Sequence, residues 1–570
     1  MRPVGPLSSH PGNVKILNGL LHHYALNSNS SPPNEPLILE ADVPFSESLI
    51  HRHQRDYYAR RGLKAWTEDM VPSYITNNPF TAEIHAGIVA GFLSDCLAHT
   101  QKDSRPISPE NPLRIVELGA GTGKFSYLFL RKLTELLRTK KIAPEIVRYR
   151  MSDCSEGLIA YWRANRYLAE FVDAGILEFE LFGDAAESTA SSAGNADSHD
   201  VQQARNPAFG QQTGPLVVIA NYVFDSLPQD AFAIADGKIS ELLVTTTGPA
   251  ADENREQAGA FHISYKNAPV PAGRYANQLW NGILEQYCSR VSAATVLFPV
   301  AALSALQQLS QSCDGRMLVL AADKGDAYED QLLLRQGPPT LEFHANGQCF
   351  SQMVNFDALA KYYAAIGGEA LLPPKHFTSL SICAFLQRRP GDDFPATRPA
   401  YERSLAEFGP DDLFALMIWL NAHLEEISVL QALAVLRLTR WDPTAFGRLF
   451  PVIARQLRNV TAERTDLRDA VLRTWANHYP VSPTENVIAF HCGVILLELR
   501  YFTDALAMFK TSQSLFGPSA ATSYNLGLCA LGLGRSGDAL TFVSEAYNLD
   551  PTFEPASRLR LKLESENPPG

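Results

Sequence analysis

Arg114-Ile-Val-Glu-Leu-Gly-Ala-Gly-Thr-Gly-Lys-Phe-Ser-Tyr-Leu-Phe-Leu130 is the stretch whose reading decides the fold. A short apolar run, Ile115-Val116, ends in an acid, Glu117. Glycines follow at every second position, Gly119, Gly121 and Gly123, and an apolar helical pattern begins at once. This pattern predicts a buried parallel strand, a tight turn and a helix. A turn without side chains lets backbone N–H groups come close to a ligand.

Two phosphate-binding readings fail on particular residues. A dinucleotide fingerprint spaces its glycines G-x-G-x-x-G, and Lys124 stands where the third is required. A P-loop needs G-x-x-x-x-G-K-[ST]; Gly123-Lys124 is present, but Phe125 replaces the hydroxyl residue and Leu118 the first glycine. An acid followed by G-x-G-x-G resembles the first motif of class I S-adenosylmethionine-dependent methyltransferases. The alternative is a plain glycine turn between strand and helix.

A chain of 570 residues normally divides into two or more domains. The net charge of −12 argues against a general grip on nucleic acid, which needs basic surface. The eight cysteines (96, 154, 288, 313, 349, 383, 492, 529) have no Cys-x-x-Cys pair and no metal-ligand spacing, so no metal is expected. They read as reduced core thiols of a cytoplasmic protein. Met1-Arg-Pro-Val-Gly-Pro6 lacks an apolar signal core. No apolar run reaches the roughly 18 residues that span a bilayer, so no membrane is expected. The longest, Leu413–Leu420, reads as a buried helix.

Residues 1–45, rich in Pro, Ser and Asn, read as a loosely held arm. Ala82–Leu97 is an amphipathic helix, with Thr81 as its expected cap and Glu83 near its positive end. After the glycine stretch, Glu145–Asp153 reads as a second strand ending in an acid, and Ser155–Leu168 as a helix. A carboxylate offers two acceptors, so Asp153 is placed to take both hydroxyls of a ribose or to cap the helix. Ile176–Phe182 alternates as a third strand, and Asp184 beyond it can meet an adenine amine. Residues 186–214 have hardly an aliphatic and read as a flexible insertion. Leu216–Ala220 is the fourth strand, running into Asn221-Tyr-Val-Phe-Asp-Ser-Leu-Pro-Gln-Asp230. Ligands of an open α/β sheet sit beyond the carboxyl ends of its strands, so the chemistry is expected there. Ala231–Val244 reads as a hairpin turning at Ala235-Asp-Gly-Lys238, and Arg316–Ala321 as the fifth strand. Leu341–His344 and Thr378–Gln387 read as closing strands around a helix, Phe356–Ile366, that ends at Gly367-Gly368. The whole is a doubly wound, seven-stranded Rossmann-like sheet, with the domain at 46–392.

Residues 400–570 are helical almost throughout and repeat internally. Gly493 and Gly527, Asp504 and Asp538, Ala505 and Ala539, and Leu506 and Leu540 are each 34 residues apart. A 34-residue helix-turn-helix period resembles the tetratricopeptide repeat, with repeats at about 486–552, degenerate units over 425–485 and a capping helix at Arg558–Leu563. Such arrays offer a concave surface to a protein partner. The alternative is a module that packs on the enzyme or makes a homodimer.

As a whole, residues 50–390 resemble the MidA family, which includes the mitochondrial complex I assembly methyltransferase. The similarity rests on Tyr57-Tyr58 with Gly62 after them, on Pro72…Thr81-Ala-Glu-Ile84, on Asn221…Phe224-Asp-Ser-Leu-Pro228, and on His344 with Val354–Leu359. The resemblance implies S-adenosylmethionine as cofactor and a protein side chain, in the mitochondrial member an arginine, as acceptor. Glu117 is assigned to the methionine end of the cofactor, and Gly119, Gly121 and Gly123 to backbone contact. Asp153 is assigned to the ribose and Asp184 to the adenine, and Thr81, from the flanking segment, is counted among the cofactor-binding residues. Asn221, Tyr222 and Asp225 would line the methyl site, Tyr222 through its ring face or as a proton acceptor. Tyr222 stands where the family commonly has Glu, so an arginine would need Asp225 or Asp230 instead. An inactive scaffold and a small-molecule methyltransferase are the competing functions.

Overall fold

The computed structural model describes residues 37–68, 71, 74–101, 105–182, 214–248, 261–374, 380–406, 408–481 and 487–566. These fall into two compact units, Pro36–Met417 and one that takes in Ile418–Gly570.

The first unit is built on a seven-stranded sheet. Its order is 369–371, 381–387, 317–323, 216–221, 113–118, 147–153 and 177–181. The last five of these strands are parallel. Ser381–Gln387 runs antiparallel to Met317–Asp323, and Glu369–Leu371 antiparallel to Ser381–Gln387. Every residue of Leu113–Leu118 is buried, which is why it reads as an unbroken apolar run rather than an alternating one. Winding reverses beside this strand: the second strand lies on one side of it and the fourth on the other. A crevice at the carboxyl ends of the strands is expected at such a switch point.

A second, five-stranded antiparallel sheet belongs to the same unit. It pairs Leu37–Pro44 with Lys238–Gly248, which pairs in turn with Asp230–Ala235 and His262–Pro269; Ala293–Phe298 closes it. The hairpin turn has Asp236 at φ 51° and Gly237 at φ 69°, the two positive angles of a type I′ turn. The arm expected over 1–45 is therefore a strand from Leu37 onward, held by backbone hydrogen bonds to its neighbour.

Several other expectations shift. Glu342–His344 does not close the main sheet; it pairs with Cys349–Ser351 in a separate small hairpin, and Glu369–Leu371 takes the edge position. The helix expected over 155–168 is two, Glu156–Ala164 and Arg166–Asp173, broken at Asn165, whose side chain caps the second. The helix after the Thr81 segment spans Pro79–Thr100 and is long and apolar enough to cross a membrane, but most of it is buried in the unit's core. Within Leu413–Leu420, Leu413, Met417 and Leu420 are buried while Ile418 and Trp419 are exposed. Five of the eight cysteines are buried; Cys154, Cys288 and Cys313 are half-buried.

The boundary between units falls at 417/418 rather than 392/400. Helix Thr397–Leu405 is anchored to the sheet unit by Asp95, whose carboxylate accepts from the Ala396 and Thr397 amides (3.0 and 2.8 Å) and the Thr397 hydroxyl (2.6 Å). Tyr401 adds a hydrogen bond from its hydroxyl to the Ile382 carbonyl (2.7 Å).

The second unit ends in the helices Ile488–Glu498, Phe502–Phe516, Ala520–Gly532, Ser536–Leu549 and Glu554–Glu566. The 34-residue offset has a packing cause. A Cβ on Gly493 would meet the Phe509 ring at 2.7 Å, and one on Gly527 would meet Val543 Cγ2 at 2.5 Å. Phe509 and Val543 are themselves 34 apart, so the same close helix crossing occurs twice. We predict that Gly527→Ala destabilises this unit by about 1–3 kcal/mol through overpacking. Hydrogen exchange on the full chain should show faster opening over 520–549 with the sheet unit unchanged.

Candidate active site

Gly119, Gly121 and Gly123 all take positive φ, at 63°, 54° and 76°. A side chain at any of them is strained, which explains the G-x-G-x-G spacing physically. A Cβ on Gly119 would lie 3.1 Å from Val223 Cγ2, and one on Gly121 3.3 Å from the Trp66 indole. The turn is tied down on both sides. The Gly121 N–H donates to Asp153 Oδ2 (3.1 Å), the Trp162 indole N–H donates to the Gly121 carbonyl (2.9 Å), and the Ala120 N–H donates to the Ser152 carbonyl (2.9 Å).

Asp153 lies at the end of its strand, nearly fully buried. Its second oxygen accepts from the Ser155 N–H (3.2 Å), while Ser155 itself is the cap residue of the following helix. Burial holds its pKa above the ordinary carboxylate range, opposed by these amide donors. Each oxygen keeps further lone pairs, so local anchoring and ligand binding coexist.

Glu117 is the penultimate residue of the strand Leu113–Leu118, with its carboxyl buried. Oε2 accepts from the Tyr149 hydroxyl (2.7 Å) and from the Ser126 hydroxyl. Burial pushes its pKa up to about 7 despite both donors.

Asn221 ends the fourth strand, next to Ala322 of the fifth. Its amide head lies 3.1 Å from His85 Nε2, and its other amide atom is buried without a hydrogen-bond partner. Tyr222 follows at φ 51°, an unusual angle for a bulky residue, held by its N–H to the Ala322 carbonyl (2.9 Å). Burial, then Asp225 and Asp323, push its phenol pKa far above the ordinary value. The hydroxyl therefore keeps its proton near neutral pH. Asp225 is buried, accepts from the Ser226 hydroxyl (2.9 Å) and has its pKa pushed up to about 7 by burial. Asp323 ends the fifth strand, accepts from the Phe224 N–H (3.1 Å), and is raised by burial and by Asp225. Two neighbouring buried carboxyls share their ionisation, so one of them holds a proton near neutral pH. Asp230, by contrast, is taken up by Tyr275 (2.7 Å) and Arg274 (3.4 Å) in the second sheet, away from this cluster.

The segment before the Thr81 helix covers the site. Tyr58 and Trp66 stack with ring centroids 5.9 Å apart. Gly62, at φ 49°, ends the helix bearing Tyr57 and Tyr58 and abuts Ser155. Thr81 is not the helix cap. Asn78 is, its Oδ1 accepting from the Thr81 N–H (2.9 Å), while the buried Thr81 hydroxyl donates to the Ile75 carbonyl (2.9 Å). The Thr81 carbonyl faces His85 Nδ1 at 3.0 Å.

The structure thus brings Asp153 against Gly121, Gly119 against Val223, and Tyr222 and Asp225 beside Asp323. Asp184 and all but the last residue of 186–214 lie outside the described residues. Sequence reading missed His85, Trp66, Ser126, Tyr149, Trp162 and Asp323. Asp323 had a usable signal, an acid closing an apolar strand, as at Glu117 and Asp153. Ser126 lies only nine residues after Glu117 but carries no mark of that partnership, and the others come from elements distant in sequence.

No curated protein matches the chain in sequence. Among solved structures, an uncharacterized protein from Burkholderia thailandensis is 16% identical and covers 64% of this chain and 91% of its own, with a TM-score of 0.38. A member of the same superfamily from that organism, bound to S-adenosyl-homocysteine, is 16% identical over 64% of this chain and 84% of its own, at TM-score 0.37. The CMeT domain of the citrinin polyketide synthase is 13% identical over 51% of each chain, at TM-score 0.22. Residues 94–349 match the sequence model of a family described as "Putative S-adenosyl-L-methionine-dependent methyltransferase". The matched segment holds the glycine turn, Asp153 and Asn221–Asp225, and S-adenosylmethionine is the cofactor of that family.

Proposed function

We propose that the chain is an S-adenosylmethionine-dependent methyltransferase that modifies a protein side chain recruited by its C-terminal helical repeats. The observation that carries the reading is the glycine turn whose Gly121 N–H is bound to Asp153 at the edge where the sheet's winding reverses. The residues fit the cofactor: the turn is a cradle that a Cβ would fill, and a buried amide atom of Asn221 lacks a partner beside it. Glu117, the three glycines and Asp153 would hold S-adenosylmethionine, which supplies a methyl group on an electrophilic sulfonium. Asn221 and Tyr222 would orient the acceptor, Trp66 and Tyr58 exclude water, and the Asp225–Asp323 pair take up a proton near neutral pH. The pair also offers an arginine a carboxylate that Tyr222 does not.

The 34-residue packing repeat supports a tetratricopeptide-like array that binds a protein. The net charge of −12 and the scattered cysteines support a cytoplasmic enzyme acting without nucleic acid or membrane. Calorimetry tests the core of the proposal: purified protein should bind S-adenosylmethionine, and no detectable binding would sink it. Asp153→Ala should weaken that binding about tenfold to a hundredfold, the worth of one or two charged hydrogen bonds, with the melting transition retained. Loss of the folded state instead would make Asp153 a purely structural anchor. Proteins captured by the full chain should gain the mass of one methylene in the presence of cofactor.

The scaffold reading has one observation in its favour: the Trp66 indole lies where a ligand-facing atom on Gly121 would point. Labelled methyl transfer to captured protein separates the two readings.

A further inference from the structure

His85 is wholly buried, edge-on to Phe125 with ring centroids 5.2 Å apart. One ring nitrogen, Nδ1, lies 3.0 Å from the Thr81 carbonyl, and the other, Nε2, lies 3.1 Å from the Asn221 amide head. A carbonyl oxygen only accepts, so Nδ1 carries the proton. Burial pushes the ring pKa down to about 4, so the ring is neutral and Nε2 is an acceptor. An acceptor cannot pair with the Asn221 oxygen. The contact becomes a hydrogen bond only with the carboxamide turned so that Nδ2–H donates to Nε2. The carboxamide is placed with Oδ1 toward His85 and Nδ2 buried without a partner; turned over, it puts the oxygen, Oδ1, in that unpartnered position. A buried polar atom without a partner is costly, and an acceptor at the end of a strand beside the glycine turn is suited to a donor on a bound ligand.

We propose that His85 is a positioning residue: through Thr81 it fixes the Asn221 carboxamide with its oxygen facing the ligand, so the site receives a hydrogen-bond donor next to the reacting centre. The chain of contacts is Thr81 carbonyl, His85 Nδ1–H, His85 Nε2, Asn221 Nδ2–H. Glutamine or asparagine at position 85 could turn its own head either way, and leucine could not pair with Asn221 at all. The inference rests on the methyltransferase reading for the identity of the ligand, but not for the tautomer.

The probe is sinefungin, the cofactor analogue in which an amine-bearing carbon replaces the methyl-bearing sulfur, compared with S-adenosylhomocysteine, which has neither amine nor methyl there. With Oδ1 facing the ligand, the full-length protein should bind sinefungin about tenfold more tightly than S-adenosylhomocysteine, the worth of one charge-assisted hydrogen bond. In His85→Leu and in Asn221→Ala the two ligands should come within about twofold of each other. Asn221→Asp should keep the preference, because either carboxylate oxygen accepts. A preference that survives His85→Leu, or a wild type that binds S-adenosylhomocysteine without preferring sinefungin, overturns the proposal. A wild type that binds neither ligand overturns the methyltransferase reading instead. If His85→Leu does not fold, nitrogen-15 NMR of histidine-labelled wild type decides: an Nδ1–H tautomer with bare Nε2 is expected, and an Nε2–H tautomer overturns the assignment.

Discussion

Gly121→Arg is expected to abolish S-adenosylmethionine binding, with no heat detectable by calorimetry at cofactor concentrations that saturate the wild type. Three separate features of the site converge on this residue. Its φ of 54° costs a non-glycine residue about 1 kcal/mol or more. Its Cβ would lie 3.3 Å from the Trp66 indole, so the longer side chain must drive Trp66 and its stacking partner Tyr58 out of place. Its N–H and carbonyl are both committed, to Asp153 and to Trp162, so backbone relief at 121 breaks one of these bonds. Gly237→Arg is the matching control. It has a similar φ of 69° in the hairpin turn of the second sheet, with nothing within 4 Å of its Cβ. The control bears a comparable backbone penalty and should bind cofactor like the wild type. Binding retained in Gly121→Arg would remove the glycine turn from the cofactor site.

Glu117→Gln should remove a large pH dependence of stability. The Glu117 carboxyl titrates at about 7 in the fold against 4.5 when unperturbed, because burial outweighs the hydrogen bonds from Ser126 and Tyr149. The native state therefore holds this proton more tightly than the unfolded chain. Between these two values the folded protein carries more bound proton, so stability falls as pH rises. The loss approaches about 3 kcal/mol once pH passes 7. Asp225 and Asp323 shift in the same direction and contribute slopes of the same sign. The difference between variant and wild type isolates Glu117. Relative to wild type, Glu117→Gln should be more stable at pH 8 than at pH 5 by about 3 kcal/mol, read from denaturant midpoints at the two pH values. An equal difference at both would mean that the Glu117 carboxyl stays ionised in the fold.

The sheet was legible where one strand's environment is uniform. Leu113–Leu118, Leu216–Asn221 and Met317–Asp323 lie in the middle of a buried parallel sheet, so their apolar runs need no partner to be recognised. Edge and second-sheet strands were legible only in part. Leu37–Pro44 does not alternate cleanly, and five of its eight residues find their partners in a strand about 200 residues later. Ala293–Phe298 and His262–Pro269 were not foreseen, although Pro269, Pro271 and Gly273 mark a turn after the second of them. Glu342–His344 is a short apolar-polar segment that suits any hairpin; which sheet it joined depended on Cys349–Ser351 standing opposite.

The sequence by itself determined the turn and its tools. Three alternating glycines can only serve a backbone with repeated positive φ, and acids closing successive strands can only gather at one edge of a parallel sheet. Gly493 and Gly527 likewise announced two equivalent helix crossings, because a repeat in sequence is a repeat in packing. Tertiary structure alone decided how the groups are tuned. Whether Glu117 is charged depends on Tyr149 from a neighbouring strand and on complete burial. Whether Asp230 serves chemistry or architecture depends on Arg274 and Tyr275. Which face Asn221 turns to a ligand depends on His85, which is 136 residues away in sequence and 3.1 Å away in space. Ionisation and amide orientation are properties of surroundings, and surroundings exist only once the chain has folded.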